Sequence, residues 1–189
     1  MPSPIAHVGA ALAWQMALRA GSDTQPIHAW LRTNWKLTFA AAFSSVAPDL
    51  DIVLAALHPA GLAWHRGPSH SLVGAAVIGA VVAACTRLRG TRAWATVIGA
   101  AMLHVPFDWS TGDPGAPVRY GVPWAWPFSP EKSIDPHPWF GAFRIDEQGF
   151  LANMWAPHAL PVYLGEFGTA AALVAGVATV RWALERARG

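Results

Sequence analysis

Five apolar stretches run along the chain, at about residues 4–18, 37–57, 70–86, 93–107 and 158–184. Alanine dominates them, and their β-branched residues are scattered rather than alternating, so the pattern predicts helices throughout. The last stretch is long enough to cross a bilayer by itself. The others read as shorter helices, and Gly74, Gly79 and Gly99 would let such helices approach closely. Residues 109–157 differ in kind: they are rich in proline and carry Trp124, Trp126, Trp139 and Trp155. A connection of that length reads as a lid or a wall of a site. The expected fold is all-α: an integral-membrane bundle of about five short helices, with a long outer loop, in a single domain over residues 1–189.

Composition sharpens this picture. Hydrophobic residues make up 53% and charged residues 13% of the chain, against the ~25% charged that is usual in soluble domains. A formal net charge of +2, with no dense Lys/Arg stripe, argues against a nucleic-acid partner. The cations instead sort by loop. Of the 13 Lys and Arg residues, nine (Arg19, Arg32, Lys36, Arg87, Arg89, Arg92, Arg181, Arg186 and Arg188) fall on one side of a five-helix zigzag. Arg66, Arg119, Lys132 and Arg144 fall on the other. The positive-inside rule then puts the N-terminus outside and the C-terminus in the cytoplasm, in a multi-pass bacterial inner-membrane protein. Trp35, Trp94 and Trp182 are expected at the inner interface, and Trp64 and Trp109 at the outer one. No Lys or Arg precedes the first apolar stretch, so it does not read as a cleaved signal peptide. The single cysteine, Cys85, excludes an intramolecular disulfide and a thiolate metal site, and reads as a small buried hydrophobe.

The same sorting gathers chemistry at the outer end. Ionisable groups in apolar segments are costly and so imply a role. His104 and Asp108 are four apart and share a helical face, where they can hold one ion or orient one another. Pro106 lies between them and threatens that helix. Asp49 and Asp51 follow Pro48; in a continuous helix they would point about 200° apart, so they share a site only if the helix breaks there. His65 and His70 flank a turn at Gly67-Pro68, with Arg66 beside them and Ser69 as a candidate N-cap. His7 is weakest alone, and location recommends it. His58, His137, His158 and Glu166 are outlying candidates, and His28 falls on the opposite side. The donor set His7, Asp49, Asp51, His65, His70, His104 and Asp108 is nitrogen and oxygen throughout. It suits a divalent metal, zinc first, with manganese or iron as alternatives, and one to three ions.

The order His7, Pro48-Asp49-Leu50-Asp51, His65-Arg66-Gly67-Pro68-Ser69-His70-Ser71, His104-Val105-Pro106-Phe107-Asp108-Trp109 and Trp126-Pro127-Phe128 resembles the bacterial membrane-bound metal-dependent hydrolases of the LexA-regulated, YdjM-like type. The resemblance covers about residues 1–130, and the His-Arg-Gly-x-Ser-His-Ser stretch is its most specific part. It implies an inner-membrane helical protein with hydrolase activity. A fainter similarity, in the order of one early His, an Asp about forty residues on, more His and a His-x-x-x-Asp, is to zinc-dependent phospholipase C and related nucleases. The chain departs from these in having no second His-x-x-x-Asp or His-x-x-x-Glu after Asp108.

The expected function is therefore a membrane-bound metal-dependent hydrolase of lipid-like or other phosphoesters. Asp49, Arg66 and Asp108 are read as its catalytic residues, with Arg66 steadying the anion. Membrane lipid and a phosphoester substrate are the expected partners. Two rivals stand beside it. A metal- or ion-handling transporter would show internal repeats, and none is evident. In a scaffold, the polar groups would only hydrogen-bond between helices.

Overall fold

The computed structural model describes residues 4–21, 23, 25–52, 65–111, 121–139, 141 and 155–187. These form six helices: α1 (Pro4–Ala17), α2 (Ile27–Thr33), α3 (Trp35–Val46), α4 (Leu72–Cys85), α5 (Thr91–Trp109) and α6 (Leu160–Arg186). Among the described residues the one extended pairing is an isolated antiparallel bridge between Val122 and Ser133. Short 3-10 turns at Ala47–Leu50, Pro68–His70 and Pro157–Ala159 adjoin the helices.

Sequence chemistry explains where these elements stop. Pro48 cannot donate an N–H, and α3 ends at Val46, tightening into the turn that carries Asp49. Pro106 lies in the last turn of α5, and the helix runs only three residues beyond it. The cap of α4 is Ser71, whose hydroxyl accepts from the Gly74 N–H at 2.9 Å. This corrects the assignment of the cap to Ser69. The short helix α2 lies in what the sequence showed only as a basic, polar linker. Cys85 is exposed, at the last residue of α4, and is not the buried hydrophobe expected.

Helix α1 is the hub, packing on α3, α5 and α6, while α5 packs on α3 and α4. The core is built of alanines and small side chains, including Ala6, Ala11, Ala40, Ala75, Ala100 and Ala101. Close backbone approach is the result. A Cβ at Gly9 would lie 2.3 Å from the Ala170 side chain, and one at Gly79 would lie 2.7 Å from the Ile98 Cα. Polar bonds cross between helices: Gln15 to Thr38 at 2.9 Å, Ser44 to the Val97 carbonyl at 3.0 Å and Trp14 to the Ala95 carbonyl at 3.2 Å. At the far end of α1, Arg181 of α6 donates to the carbonyls of Met16 and Arg19 at 3.2 and 2.8 Å, satisfying orphan acceptors of the helix end.

Among the described residues one helical stretch, Pro157–Arg186, is long and apolar enough to cross a membrane, with mean hydropathy 1.5; Leu72–Cys85 is apolar but shorter. The expected outer Trp64 lies outside the described residues. Trp109 is half-buried, and its indole donates to the Ser133 hydroxyl at 3.1 Å. With the Leu72 N–H on the Trp124 carbonyl and the Asp135 N–H on the Trp109 carbonyl, both at 3.3 Å, it seats residues 121–139 on the bundle end. That part of the long segment forms a wall.

The Gly79 contact makes a prediction. Gly79→Val should destabilise the bundle by about 1–3 kcal/mol through overpacking. Gly168→Val, at a position with open space around it, should be neutral. Thermal unfolding of the two variants in detergent checks this; equal midpoints would contradict the packing described.

Candidate metal centre

Four separate pieces of chain meet at one end of the bundle. The first turn of α1 brings His7. The turn after α3 brings Asp49 and Asp51. The turn before α4 brings His65, Arg66 and His70, and the last two turns of α5 bring His104 and Asp108. All seven residues named from the sequence as metal donors lie in this cluster, and Arg66 borders it.

The inner part consists of His70, His104, Asp49 and Asp108, which each offer one ligand atom within 4.8 Å of one another and could hold a metal ion. Asp49 Oδ1 lies 3.3 Å from His70 Nε2 and 3.6 Å from His104 Nε2. Asp108 Oδ2 lies 3.1 and 3.6 Å from the same two nitrogens. His7 Nε2 lies 3.5 Å from Asp108 Oδ1 and 3.9 Å from Asp49 Oδ2. His65 Nε2 lies 3.9 Å from Asp49 Oδ1. Thus Nε2 of all four imidazoles turns towards the two carboxylates.

In His104, His65 and His70 the opposite ring nitrogen is held from behind. His104 Nδ1–H donates to the Ser45 carbonyl at 2.8 Å, which leaves Nε2 with its lone pair facing the cluster. His65 Nδ1 is in close contact with Asp51 Oδ1, and His70 Nδ1 is 3.3 Å from Asp51 Oδ2. Ser69 donates to Asp51 Oδ2 at 2.6 Å, and its oxygen is 3.0 Å from His70 Nδ1. Asp51, His65 and His70 also fall within the distance of a possible ligand group. His70 can serve that group only through Nδ1, the nitrogen turned away from Asp49 and Asp108.

The Asp51 carboxylate accepts hydrogen bonds from His65 and His70. Arg66, at positive φ of 58°, places Nε 3.2 Å from Asp108 Oδ2. Lys132, on the seated wall and half-buried, is pushed below its usual range first by burial and then by Arg66, while Asp51 favours its charge.

The outlying candidates stay out. His137 and His158 are exposed, His28 is exposed on α2, and His58 lies outside the described residues. Glu166 is buried in α6 beside Tyr163, and belongs to neither ligand group among the described residues. Ser45, Ser69 and Lys132 were missed as site residues. Ser69 stands inside the His-Arg-Gly-Pro-Ser-His stretch, which was a usable signal. The Ser45 role is played by a backbone carbonyl, which no side chain advertises.

No curated protein and no solved structure matches the chain. The family described as YdjM inner membrane protein matches residues 1–186, well beyond the 1–130 over which the motifs alone suggested a likeness. With all the clustered residues inside that match, the chain belongs to the YdjM inner membrane protein family.

Proposed function

We propose that the cluster is a divalent-metal centre and that the protein is a multi-pass membrane hydrolase of phosphoesters. One observation carries the metal reading. His104 Nε2 and both Asp108 oxygens are buried with no hydrogen-bond partner among the described residues. Asp108 Oδ2 lies 3.1 Å from His70 Nε2 and 3.6 Å from His104 Nε2, and His104 Nε2 lies 3.6 Å from Asp49 Oδ1, without a hydrogen bond in any of the three. These separations suit co-ligands, since two atoms about 2.1 Å from a common ion at a tetrahedral angle lie ~3.4 Å apart. Arg66 offsets part of the cost of desolvating Asp108, and a cation would offset the rest.

His70, His104, Asp49 and Asp108 would hold the ion, with His65 beside them. The donors contain no sulfur, which favours zinc, manganese or iron. A bound ion would supply a water of lowered pKa and Lewis acidity towards a phosphoryl oxygen. Asp51 orients His65 and His70 from behind and is better suited to that task than to ligation. Arg66, buried against Asp108, and the half-buried Lys132 add positive charge beside the cluster, which favours an anionic substrate there. The long apolar α6 and the loop bias in Lys and Arg support a bundle with its N-terminus outside and the site opening to the outer leaflet.

Elemental mass spectrometry of detergent-purified protein tests the reading. At least one zinc or manganese per chain is expected, with loss in His104→Ala and Asp108→Ala. Metal-free protein even after reconstitution would contradict it, and so would full retention in both variants. Loaded protein should cleave a chromogenic phosphodiester, and Asp49→Ala should abolish turnover.

Two further outcomes follow from the wiring. Asp51→Asn should weaken metal affinity about 10–100-fold while leaving stoichiometry intact; equilibrium dialysis against a chelator measures it. Imidazole nitrogens bind a metal only when deprotonated, so affinity should rise with pH, with proton release seen by calorimetry in buffers of different ionisation enthalpy. Heats independent of the buffer would contradict this.

A further inference from the structure

The ion just described leaves half of each bridging carboxylate unused. Asp49 turns Oδ1 to His70 and His104, and Oδ2 to His7 at 3.9 Å. Asp108 turns Oδ2 to the same pair, and Oδ1 to His7 at 3.5 Å. His7 is 1% exposed, and neither of its ring nitrogens has a hydrogen-bond partner among the described residues. A merely structural histidine in a core is expected to find at least one. His7 instead faces two carboxylate oxygens at distances longer than hydrogen bonds.

We propose that His7, Asp49 Oδ2 and Asp108 Oδ1 form a second divalent-cation site, joined to the first by both carboxylates. The proposal rests on the metal-centre reading above and adds a second ion to it. Ring geometry supports it independently. His7 and His104 are stacked nearly parallel, 20° between planes, with centroids 4.0 Å apart. Parallel rings with Nε2 turned the same way present two ligand atoms side by side at about that spacing. Ions in two-metal sites lie ~3.5–4 Å apart, so one ion in the plane of each ring, in line with its Nε2, fits the stack. The two sites also differ in kind. The inner one has four protein ligands. The His7 site has three, the number that leaves a position open for water or a phosphoryl oxygen.

Metal counting and spin coupling test this together. Purified full-length protein loaded with Mn²⁺ should hold two ions per chain and give the broadened, exchange-coupled resonance of a bridged pair. His7→Ala should hold one ion per chain and give an isolated six-line Mn²⁺ signal. One ion per chain and an uncoupled signal in the unaltered protein would overturn the second site and leave the first standing. Two ions retained in His7→Ala would overturn the part given to His7. No bound ion in the unaltered protein would remove the metal-centre reading itself. The spectrum of the unaltered protein decides the question even if the variant does not fold.

Discussion

The structure is organised around buried negative charge that has to be neutralised. Asp49, Asp51 and Asp108 converge at one end of an apolar bundle, and Asp108 is fully buried. Bringing carboxylates together out of water is unfavourable twice, through lost hydration and mutual repulsion. Arg66 offsets part of this, through its contact with Asp108. The imidazoles surround the rest: His65 and His70 hydrogen-bond to Asp51, while Nε2 of His7 and of His104 faces Asp49 and Asp108 without a hydrogen bond. An ion bound as proposed would link folding to metal loading, because it would stabilise the assembled cluster.

The helices supply what such a cluster needs: rigid walls at short distance. A core of alanines gives little hydrophobic burial per residue, but it lets α1 approach α6 at Gly9 and α4 approach α5 at Gly79. Cross-helix hydrogen bonds from Gln15, Ser44 and Trp14 fix the register. Register matters because the four donor segments are far apart in sequence. A shift of one residue along α1 would turn His7 about 100° away from Asp108. The capping of the far end of α1 by Arg181 holds the helix from the side opposite the site.

Much of this was legible in the residues. Apolar segments interrupted by His and Asp marked both the helices and the residues that the structure clusters, because such residues are rare in such segments without a purpose. Pro48 marked the break that lets Asp49 and Asp51 serve one site. The division of labour was not legible. Asp49 and Asp51 look alike in sequence, yet one faces the Nε2 atoms and the other faces the Nδ1 atoms, and only the turn geometry separates them. Ser69 and Ser71 are equally good caps on paper, and the helix takes the second, freeing the first for Asp51. Lys132 sits in a Pro-rich segment with no periodicity, so nothing in its neighbourhood announced that Trp109 and Ser133 would bring it to the rim. Helix α2 was too short and too polar to stand out.

X-ray absorption at the metal edge of zinc-loaded protein tests the central claim most directly. The account predicts a first shell of nitrogen and oxygen only, with the multiple-scattering pattern of at least two imidazoles. Sulfur in the first shell would contradict the account, and so would a spectrum with no imidazole contribution.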